Sequence, residues 1–307
     1  MTIDRHQLRG HAAMLCANML WGLMSPAAKL VMGGAIVTPL LMTDCRIAGA
    51  ALLFWLLSAF LPTEHVPGGD LLRLAGAGML GIVFNQGCFI FGVGFTSPGE
   101  ASIITTTMPM WVMVLAALIL KEPVTLKKAG GIIVGAAGAL ILVFGAGSRH
   151  TVTGSNPLLG DILVFCAQFS YALYLTLYRN FIRRYSLVTL MKWMFLFAAC
   201  AVLPFSIPTI LSTAWHELSR FEIWGIVYVV AGGTFLSYIC VMAGQKVLRP
   251  TLVGMYNYVQ PVVASAVGIC LGLDSFTPSK IVAVVLIFAG VWLVTVSKAL
   301  PQDSAKR

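Results

Sequence analysis

Long apolar runs separated by short polar breaks fill almost the whole chain. The runs lie near 12–31, 39–61, 71–94, 101–120, 129–144, 158–178, 188–207, 223–243, 252–273 and 278–296, the fifth being the shortest. A helix of roughly 17–25 apolar residues crosses about 30 Å of hydrocarbon, so these runs predict ten transmembrane helices. Most breaks are short, so consecutive helices are antiparallel neighbours. The longest breaks are 62–70, 145–157 and 212–222; GAGSRHTVTGSNP at 145–157 is rich in Gly, Ser and Thr and reads as a linker.

The runs repeat. Adding 152 carries Gly81 to Gly233, Pro98 to Pro250, Pro109 to Pro261, Thr125 to Thr277, Lys128 to Lys280 and Gly138 to Gly290, with Glu122 meeting Asp274. Nearer the start the offset is 150, pairing Gly10 with Gly160, Cys16 with Cys166 and Trp21 with Tyr171. Each half holds five runs, an odd number, so the second copy enters the membrane from the opposite side. The predicted fold class is an all-α membrane protein of ten transmembrane helices arranged as two inverted five-helix repeats. Its units are residues 10–146 and 157–297, a linker at 147–156 and a cytoplasmic tail at 298–307. Inverted repeats of this kind place a substrate site at their interface near the bilayer midplane, with access alternating between the two faces.

Composition sharpens this picture. A soluble domain of 307 residues does not reach 59% apolar residues with 10% charged ones. The net charge of +9 invites a nucleic-acid partner, but its distribution excludes that reading. With the N-terminus inside, fourteen basic residues fall on inner segments and three (Arg149, Arg220, Lys280) on outer ones, while Lys29, Arg46 and Lys192 lie in or at the ends of spans. That is the positive-inside bias of a multi-pass protein with both termini cytoplasmic. The seven cysteines all lie in apolar runs without metal-ligand spacing, and the first run is read as a retained span rather than a cleaved signal. No HExxH, GxSxG or phosphate-binding loop occurs, so neither an enzyme nor a cofactor is expected. The five histidines fall at margins or in loops.

Polar side chains at membrane depth require a reason, because an unsatisfied polar group there costs several kcal/mol. Asn18 and Trp21 share a face of the first span, and Gln168 and Tyr171 repeat them in the sixth. Asn85 and Gln86 in the third are answered by Ser237 and Tyr238 in the eighth; Thr105 and Trp111 in the fourth by Tyr256, Asn257 and Gln260 in the ninth. Recurrence at matched depths predicts a common substrate-binding cavity between the halves, with helix–helix hydrogen bonding as the alternative. Pro109 and Pro261 predict helix kinks within the fourth and ninth spans. Asp44 and Arg46, two apart in one span, point to different faces. They are candidates for proton coupling or for pairing with charges on other helices. The turn Lys121-Glu122-Pro123-Val124-Thr125, ahead of a helix bearing Gly130, Gly131, Gly135 and Gly138, is read as scaffold, with Glu122 at a helix start.

Trp21-Gly22, Lys29, Arg46, Ser97-Pro98, Pro109, Lys121-Glu122-Pro123, Gly130-Gly131 and Gly138 resemble the EamA type of the drug/metabolite transporter superfamily, over about residues 10 to 297. The pattern recurs more weakly at Pro250, Pro261, Asp274, Thr277 and Gly290, with Tyr171 in place of the tryptophan. The resemblance implies a bacterial inner-membrane location, ten helices and a central cavity, with the fifth and tenth helices peripheral. The expected function is secondary transport, in the export direction, of a small metabolite such as an amino acid or an aromatic, amphipathic compound. The partners expected are that small-molecule substrate, the lipid bilayer and a coupling proton, with no nucleic acid. A membrane-embedded receptor or enzyme on a helical scaffold is the alternative.

Overall fold

The computed structural model describes residues 5–32, 36–95, 104–145, 157–270 and 277–297, and every regular element among them is helical. The first half holds α1 (Arg5–Met32), α2 (Pro39–Ala59), α3 (Gly68–Gly78), α4 (Asn85–Phe95), α5 (Met108–Ile119) and α6 (Leu126–Gly145). A π-helical stretch, Met79–Phe84, joins α3 to α4 without a break. The second half holds α7 (Pro157–Leu177), the single turn α8 (Arg179–Ile182), α9 (Leu187–Ser212), α10 (Arg220–Val230) and α11 (Ser237–Val247). It ends with α12 (Pro250–Met255), a 3₁₀ turn at Tyr256–Tyr258, α13 (Val259–Cys270) and α14 (Pro278–Thr295). A second π-helical stretch, Ala231–Leu236, joins α10 to α11.

Local chemistry sets these boundaries. Thr38 caps α2 by accepting from the Leu41 amide, with Pro39 in the first turn where no backbone donor is lost. Ser186 caps α9 in the same way, and Ser219 and Glu222 close a capping box on α10. At the end of α5, Lys121 takes a positive φ of 54°, and the Glu122 amide reaches back to the Ala116 carbonyl. That reversal turns the Glu122 side chain into the protein.

Six of the described helical runs are long and apolar enough to cross a membrane. Large apolar side chains cover the outside as well as the core: Leu72, Leu126, Phe205 and Trp224 are exposed, while Phe54, Leu74, Phe195 and Tyr258 are buried. Water would penalise that outer surface, whereas lipid matches it.

The structure alters five of the expected spans. The third and eighth each carry a π-helical stretch. The fourth and ninth are interrupted just ahead of their prolines, by a turn at 106–107 and a 3₁₀ turn at 256–258, so that Pro109 and Pro261 sit in the first turns of the helices that follow. The fifth, expected to be short, is a full 20-residue helix.

The element boundaries carry the internal repeat. Both ends of the first π-helical stretch lie 152 positions before those of the second. A Cβ on Gly81 would lie 2.9 Å from the Tyr174 ring of α7, and one on Gly233 2.7 Å from Met24 of α1, so equivalent glycines admit equivalent residues of the opposite half. The packing follows the same exchange. α2 lies on α9 and α6 on α14, each an equivalent pair; α1 on α11 is matched by α7 on α4, and α1 on α13 by α7 on α5.

Candidate functional site

Three hydrogen-bonded groups occupy the interior, two of them between the halves and the third within the second half. At the first, Gln86 Nε2 donates to the Tyr238 hydroxyl at 2.9 Å, between residues 152 apart. Tyr238 also meets the rings of Trp21 and Phe195 edge-on, at centroid distances of 5.8 and 5.0 Å. The Trp21 indole N–H donates to the Gly233 carbonyl, inside the second π-helical stretch, where i→i+5 pairing leaves acceptors for side chains. Gln86 Oε1 is buried with no partner among the described residues.

The second group links α1 to α13. Gln260 Nε2 donates to Asn18 Oδ1 at 3.0 Å and to Asn257 Oδ1 at 3.2 Å, and Asn18 donates to the Met14 carbonyl. Nearby, His11 Nδ1 lies 2.6 Å from the Tyr256 hydroxyl. The third group lies between α7 and α11. Gln245 accepts from the Tyr174 hydroxyl at 3.1 Å and donates to that of Tyr171 at 3.4 Å.

Most of the residues singled out from the sequence fall in these groups. Asn85 donates to the Ala167 carbonyl of α7, Gln168 is buried beside it, and Thr105 is half-buried at the break before α5. Trp111 stands apart, edge-on to Phe165 and Phe169 in an aromatic cluster. Asp44 and Arg46 diverge as expected: Asp44 Oδ1 accepts from Ser206 on α9, whereas Arg46 Nε donates to Thr234. The side chain of Lys29 and the whole of Pro98, Glu100 and Asp274 lie outside the described residues.

The pattern of the sequence did not point to His11, Tyr174, Gln245 or Ser206. His11 reads as marginal because it sits one turn from a charged terminus. Gln245 lies beside Lys246 at the end of a run, and Ser206 is one hydroxyl among apolar neighbours.

An ionic cluster lies at one end of the bundle. Glu122 Oε2 accepts from Lys128 Nζ at 2.9 Å and from the Thr251 hydroxyl at 3.2 Å, while Oε1 accepts from Arg179 at 2.9 Å. Glu122 and Lys128 are 4% and 1% exposed, so this one carboxylate ties the α5–α6 turn to α8 and α12 in a dry setting. Arg249 caps the end of α14 by donating to the Val294 carbonyl. At the same end Glu64 accepts from the Ser186 amide, and Tyr185 donates to Asp70. Desolvation acts to raise the Glu64 carboxyl, but hydrogen bonds from Ser186 and Thr189 outweigh it and hold the group below its ordinary value.

A cavity of about 470 Å³ lies elsewhere, between α2, the α3–α4 run and α9. α2 contributes Leu40, Thr43 and Ile47; the α3–α4 run contributes Met79, Val83, Gly87 and Phe91 at every fourth position; α9 contributes Ala201, Val202, Phe205 and Ser206. None of the residues of the three polar groups lines it.

Buried amides, hydroxyls and rings held between long apolar helices fit a polytopic membrane protein of the transport class. The profile of the EamA-like transporter family matches residues 8–144 and again 158–296, and the chain belongs to that family. It is 22% identical to the uncharacterized transporter YetK of Bacillus subtilis, over 90% of this chain and 86% of that one. It is likewise 22% identical to an uncharacterized transporter of Archaeoglobus fulgidus, over 89% and 94%. One solved crystal structure shares the fold with a TM-score of 0.76 at 19% identity, covering 96% of this chain and 97% of that one. The relatives are transporters, not enzymes.

Proposed function

We propose that this transporter is a secondary carrier that exports a small amphipathic metabolite across a bacterial cytoplasmic membrane by alternating access. In this reading ten helices form two inverted five-helix repeats, residues 10–146 and 157–297, with both termini cytoplasmic. The observation that carries it is the contact between Gln86 and Tyr238, equivalent positions meeting through a 2.9 Å hydrogen bond where the halves face each other. Residues that meet their own equivalents lie near a pseudo-two-fold axis, and in inverted repeats that axis passes through the substrate site.

The cargo is bound by Asn18, Trp21, Gln86, Gln168, Tyr171, Tyr238, Tyr256, Asn257 and Gln260, whose amides and rings suit an uncharged or zwitterionic, partly aromatic compound. Here Gln86 bonds to Tyr238, and Gln260 to Asn18 and Asn257, so cargo binding exchanges these internal hydrogen bonds for bonds to the ligand. The Glu122 cluster closes the cytoplasmic end. Energy comes from a gradient, and Asp44 is the carboxylate available to take up a coupling proton.

Counterflow in proteoliposomes tests the proposal. Vesicles loaded with unlabelled cargo accumulate labelled cargo transiently through a carrier, with no ion gradient imposed. A panel of amino acids and aromatic metabolites giving none, while detergent-stable protein is present, contradicts it. Tyr238→Phe and Gln86→Leu should each lower the exchange rate about tenfold or more, as removing a hydrogen bond from a buried polar pair does.

A further inference from the structure

The apolar cavity between α2, the α3–α4 run and α9 has two hydroxyl side chains in its wall, and both have committed their protons. Thr43 Oγ1 donates to the Pro39 carbonyl at 2.9 Å and Ser206 Oγ donates to Asp44 Oδ1 at 3.0 Å. What they present inward is therefore acceptor lone pairs only. Behind Ser206 stands Asp44, 2% exposed, with Oδ2 buried and unpartnered among the described residues. Arg46 is turned away to Thr234. A buried carboxylate polarises the one hydroxyl that donates to it, so Ser206 presents to the cavity an acceptor backed by negative charge, with Asp44 itself behind the wall.

The rest of the wall is aliphatic and aromatic, and its volume falls in the range of small-molecule sites. Phe91 and Phe205 in the wall are 53% and 85% exposed, so the cavity is open to the outside of the bundle, which faces lipid.

We propose that this cavity binds a lipophilic amine in its ammonium form, the apolar body filling the space and the charge answered by Asp44 through the Ser206 hydroxyl. Ser206 relays the interaction, accepting from the ammonium while donating to the carboxylate, and Thr43 accepts a second ammonium proton. An anion meets only acceptors there, and an alcohol supplies a single uncharged donor. The site is distinct from the polar groups between the halves, and its occupation is read by binding alone, whether or not cargo moves.

The test is calorimetric titration of the full-length protein in lipid nanodiscs, with empty nanodiscs subtracted, using 4-phenylbutylamine and its neutral analogue 4-phenylbutanol. The amine should bind about tenfold or more tightly than the alcohol, the ratio a charge-assisted hydrogen bond supplies. Asp44→Asn should abolish that preference. Gly87 offers a control that leaves Asp44 in place: a Cβ there meets nothing within 4 Å, so Gly87→Leu fills the cavity without displacing backbone. It should bind neither compound while melting no lower than wild type. Amine and alcohol binding equally to wild type would mean that a protonated Asp44 or a lipid tail occupies the site, and would overturn the proposal. So would unchanged amine binding by Gly87→Leu, a readout that holds even if Asp44→Asn does not fold.

Discussion

At Glu122, three donors converge on one buried carboxylate, and the residues involved lie up to 129 positions apart. The sequence marks Glu122 and Lys128 as one polar turn, and their equivalents Asp274 and Lys280 as another. It gives no sign of Arg179, because nothing local distinguishes that arginine from Arg183 or Arg184 on the same basic segment. The function assigned to the turn changes accordingly, from a helix-start carboxylate to the centre of an ionic cluster joining three segments. Replacing Glu122 by Gln leaves Lys128 buried without its counter-charge. Breaking a buried pair in this way costs about 3–5 kcal/mol, visible as a lowered unfolding midpoint in detergent. Pairing Glu122→Gln with Lys128→Met removes the stranded charge and should recover most of the loss. Equal destabilisation by the single and double variants contradicts the pairing.

Between helices, small residues set how closely backbones approach, since lipid supplies no hydrophobic drive for association. A Cβ on Gly290 would stand 2.5 Å from the Gly131 carbonyl oxygen, and one on Gly138 would stand 2.6 Å from that of Ala283. These contacts are with backbone, which cannot swing aside. Gly290→Ala and Gly138→Ala should therefore force α6 and α14 apart and cost about 1–3 kcal/mol each. Gly130 faces open space on the same helix. Gly130→Ala should be neutral or stabilising, by up to about 1 kcal/mol from helix propensity. Thermal unfolding of the three variants checks the contrast, and a Gly130 variant as damaging as the others contradicts it.

The glycine spacing was legible in the sequence as a sign of close helix approach, though not that α14 is the partner of α6. The π-helical stretches were not, because six residues of wider winding barely disturb an apolar run. Nor were the breaks before Pro109 and Pro261: proline announces a lost hydrogen bond but not the turn upstream. A separate prediction concerns the start of α9, where the Glu64 carboxyl accepts from the Ser186 amide. Because its folded value is depressed, that interaction contributes above the ordinary carboxylate range and is lost as pH falls through the folded value. The stability difference between wild type and Glu64→Gln at neutral pH should shrink on acidification through pH ~4 and then vanish. A difference that persists at lower pH rules out this role.

Across the whole molecule, contacts as well as sequence repeat. Gly131 meets Gly290 while Gly138 meets Ala283, and adding 152 turns each contact into the other. Tyr258 donates from its own broken helix to the Thr106 carbonyl in the equivalent break. The repeat offset, read from ten matched pairs of residues, is thus followed by the contacts, although the sequence did not say which helices face one another. It also gathered most of the polar residues now seen between the halves. It did not foretell which of those groups bond to one another in this conformation, or that the described cavity is apolar and lies beside α9. Both depend on side-chain direction, which a helical run leaves undetermined.

The central claim is that the two halves are inverted with respect to the membrane, and Lys127 and Ser279 test it most directly. They are 152 apart, both are exposed, and each precedes a buried lysine, Lys128 or Lys280. Single cysteines at the two positions, in a background freed of the seven native cysteines, are probed in intact cells with a membrane-impermeant thiol reagent. Lys127→Cys should react only after the membrane is opened, and Ser279→Cys should react in intact cells. Labelling of both positions from the same side would contradict the inverted repeat and the alternating-access mechanism built on it.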